Sequence, residues 1–289
     1  MRFGVDIPNF GAFADVRFVA DLARQAEALG WDGFFIWDHS VWGREPLGDH
    51  TVMLTAIALA TERIRFGTMI TPLARRRPWK FAREMATLDQ LSGGRLIVGV
   101  GLGGDDWDFA NFNDAPEAKE RAARLDEGLD IVNGLWQGEV FNYESAQYRV
   151  KDTQHLPRPL QRPRIPVWIA GQWPNKAPMR RAARWDGMFP IGRGLGLGEM
   201  MSAEALREAV EFVAAERGNR AFDIVHWGIT TGDPAQDAAI LAPYADVGVT
   251  WWLENVTPWV YGWDGVGAWP LEVMRERILA GPPKAPVSQ

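Results

Sequence analysis

Residues 87–104 read Thr87-Leu-Asp-Gln-Leu-Ser-Gly-Gly-Arg-Leu-Ile-Val-Gly-Val-Gly-Leu-Gly-Gly104, and their order decides the fold. Leu88 and Leu91 share one face of a helix end, which Gly93 or Gly94 can stop in the left-handed conformation. Arg95 to Val100 is a short apolar run of the kind buried on both faces of a parallel sheet. It opens into Gly99, Gly101, Gly103 and Gly104, where missing side chains permit a close approach or a sharp turn. A buried strand ending in a glycine-lined mouth predicts a ligand site at the carboxyl end of a parallel sheet.

Outward from this stretch the same unit repeats. Strand centres near Phe3, Phe34, Arg65 and Leu96 lie 31 residues apart, three times in succession. That spacing suits a β-loop-α-loop unit whose crossover returns each strand parallel to the last. Phe3 to Ile7 is the first strand, Gly33 to Trp37 the second and Ile64 to Ile70 the third. Asp15 caps the first helix, and Pro78 to Leu91 is the third. The rhythm breaks at residues 105–117, which are polar and irregular. After a helix carrying Leu125, Leu129, Val132 and Trp136, a small hairpin and a proline-rich connector predict an insertion at about 137–164. Further strands are expected at 165–170, 186–189, 224–229 and 247–253. Eight units predict an α/β fold, a single (β/α)8 TIM barrel over residues 1–289, rather than an open sheet. Gly-Trp-Asp-Gly-Phe-Phe at 30–35 is echoed by Arg-Trp-Asp-Gly-Met-Phe at 184–189, on strands that would stand opposite each other.

Composition narrows the function. A net charge of −6 argues against nucleic acid as the main partner. The absence of cysteine removes disulfides, thiolate nucleophiles and Cys-type metal sites. No apolar run reaches membrane-spanning length and the first residues carry no apolar leader, so a cytoplasmic protein is expected. Fifteen tryptophans suggest flat apolar surfaces, several of them at strand ends.

Each chemical motif has a plain structural alternative. Gly99-x-Gly101-x-x-Gly104 matches the dinucleotide fingerprint in form, but it lies on the fourth strand and opens no helix. Tight packing at a barrel mouth explains it as well as phosphate binding does. Trp37-Asp38-His39 ends the second strand, where a barrel places its site. No His-x-x-x-His, Gly-x-Ser-x-Gly or P-loop pattern occurs, so metal, elbow-hydrolase and P-loop readings fall. Arg75-Arg76-Arg77 is either a solvated face or an attractor for an anionic ligand on the same rim. Ala170-Gly171-Gln172-Trp173-Pro174 precedes a helix, whose first amides favour phosphate.

Taken together, four stretches resemble the luciferase-like flavin-dependent oxidoreductases. They are Trp-Asp-His at 37–39, Arg-Ile-Arg-Phe-Gly-Thr-Met-Ile-Thr-Pro-Leu at 63–73, Leu-Ser-Gly-Gly-Arg-Leu-Ile-Val-Gly-Val-Gly at 91–101, and Pro-Val-Trp-Ile-Ala-Gly at 166–171. The resemblance runs from Phe3 to about Leu253 and implies a (β/α)8 barrel, often dimeric, using coenzyme F420 or FMN. By position it implies that Asp38 and His39 are the catalytic pair beside the ring's reactive edge. Met69-Ile70 matches a bulge behind the ring, where many members hold a non-prolyl cis peptide. Gly101, Gly103, Gly104, Gly171, Gln172 and Trp173 would line the cofactor, and Trp37, Trp107, Trp173 and Trp251 are expected to wall an apolar substrate cavity. F420 is favoured because an imidazole at that edge can donate a hydrogen bond or proton as hydride moves. Some deazaflavin-dependent dehydrogenases carry a Glu after the fourth-strand glycines, where this chain has Gly104 and then Asp105-Asp106, which puts a sugar-phosphate role in doubt. The expected function is therefore reduction, oxidation or monooxygenation of a small, largely apolar substrate by a homodimer without metal. The alternative is a non-catalytic barrel that binds a flavin or phosphate ligand. A barrel aldolase or hydrolase is weaker, lacking a well-placed Lys or a metal cluster.

Overall fold

The sheet closes on itself. The structure, a computed structural model, describes residues 1–104, 108–112, 114, 117–218 and 220–283. Strands β1 (Arg2–Ile7), β2 (Gly33–Ile36), β3 (Arg65–Pro72) and β4 (Leu96–Gly101) follow the 31-residue rhythm. The hairpin strands β5 (Phe141–Glu144) and β6 (Arg149–Thr153) pair only with each other. The barrel then resumes with β7 (Val167–Trp173), β8 (Gly187–Gly192), β9 (Asp223–Gly228) and β10 (Trp251–Asn255). Around the ring the order is β1-β10-β9-β8-β7-β4-β3-β2, and every neighbouring pair is parallel.

Helices α1 (Val16–Ala28), α2 (His50–Ala60), α3 (Pro78–Leu91), α4 (Ala118–Trp136), α5 (Lys176–Ala182), α6 (Ala203–Arg217), α7 (Pro234–Val247) and α8 (Leu271–Leu279) join the strands. Caps set several starts: the Asp15 and Asp233 carboxylates each accept two backbone N–H groups in the first turn. No helix among the described residues is long and apolar enough to cross a membrane.

Strand alternation splits the core in two. Phe3, Val5 and Ile7 of β1 face outward into the helix layer, with Phe34, Ile36, Val98 and Val100. Phe35, Ile97, Trp168, Phe189, Val225, Trp251 and Leu253 fill the barrel interior. The outer layer also carries one buried charge cluster: Glu254 accepts from Thr230, Trp252 and Arg277, fixing α8 against β9 and β10.

The sequence echo has a physical cause. Asp32 accepts the Phe3 N–H of the preceding barrel strand at 2.8 Å, and Asp186 accepts the Val167 N–H at 3.0 Å. Both carboxylates thus satisfy a donor near the start of a neighbouring strand, and they immediately precede β2 and β8, four places apart around the ring. Several boundaries differ, and β7, expected at 165–170, starts at Val167 and runs on to Trp173. β8 runs on to Gly192, three residues past its expected end. Residues 247–250 are not strand, because Gly248 closes α7 at φ 94° and the sheet begins at Trp251.

Candidate active site

The carboxyl ends of β2, β3 and β4 carry the expected residues, joined by partners the sequence did not reveal. Asp38 follows β2 and is buried. Its Oδ1 accepts from Arg75 at 2.7 Å and from Arg76 at 2.6 Å, and Oδ2 accepts from Arg76 at 2.8 Å. The His50 ring stands 3.5 Å from Oδ1. Burial alone would push the Asp38 carboxyl up, but His50, Arg76 and Arg75 outweigh it and hold it below the usual carboxylate range. Asp38 was expected to act on the reacting groups, yet both its oxygens are committed to guanidinium groups.

His39 points the other way along the rim. Its Nδ1 lies 2.6 Å from Oδ2 of Asp108, whose Oδ1 accepts the Ser40 N–H at 2.6 Å and forms an ion pair with Arg75 Nη1 at 2.7 Å. Burial would raise Asp108, but the bond from His39 and the charge of Arg75 hold it low. An ionised carboxylate has no proton to give, so Nδ1 carries the hydrogen and Nε2 is left as the acceptor. Asp108 lies 69 residues from His39 in a stretch without periodic pattern, and nothing local in the sequence marks it. Arg75 and Arg76 are consumed by Asp38 and Asp108, so they do not form the free anion attractor considered from the sequence; Arg77 alone of the three is exposed.

The expected bulge sits on the adjacent strand. β3 and β4 pair Thr68 with Val98 and then Thr71 with Val100, so Met69 and Ile70 oppose the single Gly99. The Met69–Ile70 peptide is cis. A Cβ on Gly99 would lie 2.3 Å from the Thr68 carbonyl and 2.8 Å from Met69 Sδ, so this glycine admits the bulge rather than a ligand. Gly101 faces Ile70 and Ala170, Gly103 turns at φ 78° against Pro72 and Phe109, and no described residue would meet a Cβ on Gly104 within 4 Å. Ile70, Ile191 and Trp227 are the partly buried apolar groups at the top of the interior cluster.

The β7 residues separate by strand phase. Gln172, in phase with the inward Ala170, is exposed at the rim. Gly171 is crowded by Pro178 of α5, 2.2 Å from where its Cβ would be. Trp173 turns outward to α6, where its indole N–H donates to Glu208 and Lys176 caps its ring at 3.6 Å. Trp251 lies deep in the interior, edge-on to Phe35 and Trp168. Neither Trp173 nor Trp251 walls the mouth, and Trp107, Asp105 and Asp106 lie outside the described residues. The wall is instead Trp37, Trp42, Trp227 and Trp259: Trp37 stands 5.9 Å from Trp227 and parallel to Trp259, and Trp42 lies 4.9 Å from His39. A cavity of about 550 Å³ at the opposite end, lined by Arg2, Glu27, Asp32 and Arg65, lies where the strands begin; there Glu27 and Asp32 bind backbone N–H groups.

Fold and site together define a (β/α)8 barrel with a polar and aromatic site at the carboxyl ends of its strands. The chain belongs to the luciferase-like monooxygenase family, whose profile matches residues 1–246. It is 33% identical over 208 residues to the F420-dependent glucose-6-phosphate dehydrogenase of Amycolatopsis mediterranei, a match covering 70% of this chain and 61% of that one. A Streptomyces bottropensis monooxygenase superposes with a TM-score of 0.75 at 22% identity, over 97% of this chain and 98% of that one. The coenzyme F420 dependent tetrahydromethanopterin reductase of Methanopyrus kandleri gives 0.66 at 23%, over 84% and 70%. The matches to the first curated relatives span 46–61% of their length.

Proposed function

We propose that the chain is an oxidoreductase that uses coenzyme F420 or FMN to reduce, oxidise or monooxygenate a small, largely apolar organic substrate. F420 is the favoured cofactor. The observation that carries this reading is His39 fixed by Asp108 on the strand beside the Met69–Ile70 bulge. The relatives named as F420-dependent support the cofactor preference.

The residues present fit such a group. Ile70, Ile191 and Ala170 offer an apolar seat for a planar ring, with Gly101 letting Ile70 and Ala170 close together beneath it and Gly104 leaving room at the rim. Gln172 would hold the edge, while Lys176 and Arg193, which both contact the Trp173–Asn175 turn, would hold an anionic tail. When bound, the cofactor supplies hydride exchange, or oxygen activation if it is FMN. His39 Nε2 takes or returns the substrate proton while Asp108 fixes the ring. Asp38 acts as a positioning residue, holding Arg75 against Asp108. The tryptophan wall excludes water and favours apolar substrates. A phosphosugar is disfavoured, because the two inner arginines are already paired with carboxylates.

The same reading includes a cytoplasmic homodimer, the assembly to be checked by light scattering. Fluorescence titration of the purified protein with F420 and with FMN tests the cofactor. Tight binding of FMN alone overturns the preference for F420, and binding of neither overturns the oxidoreductase reading. Full turnover by His39→Ala would remove His39 from the chemistry.

A further inference from the structure

A third buried carboxyl, Asp6, stands in the mouth outside the His39 network. It lies on β1 in the phase of Gly4, facing the interior, and is 1% exposed. Its Oδ2 accepts the Trp37 indole N–H at 2.9 Å, while its buried Oδ1 has no hydrogen-bond partner. Opposite it in register is Asn255 of β10, whose Nδ2 donates to the Leu197 carbonyl and whose Oδ1 is likewise buried without a partner. Two acceptor oxygens on adjacent strands are thus left open. Asp38 and Asp108 each hold a guanidinium, but Asp6 has no cation beside it among the described residues. Burial pushes the Asp6 carboxyl well above the usual range, against the pull of the Trp37 and Trp227 indoles; the Trp227 N–H itself makes no hydrogen bond.

We propose that Asp6, with Asn255 and bounded by the indoles of Trp37 and Trp227, is a recognition site for the ammonium head of an organic cation. The inference rests on the reading of the mouth as the substrate site, and narrows the substrate from apolar to amine-bearing. Each element has a physical reason. A buried carboxylate without a cation is unfavourable, and a ligand ammonium supplies the missing charge. The N–H donors of that head meet the open oxygens of Asp6 and Asn255. Trp37 turns its N–H edge to Asp6 and meets Trp227 edge-to-face at 61°, so the two indoles bound the site and the charge is read by the carboxylate and the Asn255 oxygen. Donation by the Trp37 indole to Oδ2 favours the ionised form once the cation has arrived.

The test compares two ligands of one shape that differ in charge, cyclohexylammonium and cyclohexanol, by calorimetric titration at pH 7.5. The wild-type protein is expected to bind the cation at least about 30-fold more tightly. Asp6→Asn, isosteric and still able to accept from Trp37, is expected to bring the two affinities within about 3-fold. Its thermal melt and its F420 or FMN titration report whether the fold survives. Should it fail to fold, Asn255→Leu, which removes the second acceptor, is expected to weaken the cation selectively. Equal affinity of the wild type for the two ligands overturns the proposal, and so does a preference that survives loss of the Asp6 charge. Failure of the wild type to bind either cofactor would refute the oxidoreductase reading instead, and the amine titration does not depend on it.

Discussion

Replacing Asp108 by Asn probes whether the His39 tautomer is set as the geometry requires. Asp108 uses Oδ2 for His39 and Oδ1 for both the Ser40 N–H and Arg75. An amide keeps one acceptor oxygen. If that oxygen serves Ser40 and Arg75, the new NH2 faces Nδ1 of His39, which must then accept, and the ring proton moves to Nε2. The reverse orientation sets the NH2 against two N–H donors and is disfavoured. Breaking a buried ion pair costs about 3–5 kcal/mol. Arg75 keeps Asp38 and its side chain is 10% exposed, so a loss of about 2–3 kcal/mol is expected. For a chain of this size that lowers Tm by roughly 4–12 °C. The chain has four histidines, so imidazole nitrogen NMR separates them and reports the tautomer directly. Turnover with whichever cofactor binds is expected to fall by about 100-fold or more, the scale of a misplaced acid–base group. A His39 that keeps its proton on Nδ1 in the variant, or a stability loss under about 0.5 kcal/mol, would refute the reasoning.

Three further outcomes follow from packing. His226 stacks on Tyr244 with neither ring nitrogen bonded, and burial pulls it down to about 3. Between that value and about 6.5 the unfolded chain holds the extra proton, so stability is lost as pH falls through this window. At pH 5 the loss is about 2 kcal/mol relative to neutral pH, and urea unfolding should show His226→Phe more stable than the wild type by that margin. Gly99→Ala drives a Cβ into the Thr68 carbonyl, and a loss of about 1–3 kcal/mol with weakened cofactor binding is expected. Gly104→Ala meets nothing within 4 Å among the described residues and should melt within a degree or so of the wild type.

The barrel was legible because its signals are local and repeated. Each strand is a buried apolar run, and the 31-residue spacing of Phe3, Phe34, Arg65 and Leu96 survives as the register Phe34–Phe66–Leu96 across neighbouring strands. The site was legible only where it coincides with a strand end, as at Asp38, His39 and Met69-Ile70. Asp108 reaches His39 from another loop, and Trp259 comes from a short 3-10 turn after β10, so neither pairing leaves a trace in local pattern. Trp173 and Trp251 were misplaced because strand-end position was used without strand phase. Phase sends Trp173 outward with its α6 partners, and depth along the strand puts Trp251 at the closed end of the barrel. Asp6 did leave a signal. A carboxylate in the inward phase of Phe-Gly-Val-Asp-Ile, an otherwise apolar buried strand, needs a partner or a purpose.

The mouth therefore divides into two halves with different work. On the β2 and β3 side, two carboxylates, Asp38 and Asp108, face two guanidiniums, Arg75 and Arg76, and their charges cancel. Such a set can hold an imidazole in one tautomer, but it has no net charge left with which to choose a ligand. On the β1, β9 and β10 side, with Trp37 reaching over from the end of β2, Asp6 and Asn255 carry buried acceptors without a partner between indole rings, and no compensating cation lies there among the described residues. On the proposed reading, substrate choice comes from this second half. Substitutions at Trp227 or Asn255 should change which molecules are accepted while leaving the His39 tautomer intact. Substitutions at Asp108 should disturb the tautomer and leave the ligand preference unchanged. A variant of Asn255 that altered the His39 nitrogen resonances would show the halves to be coupled, and the division would fail.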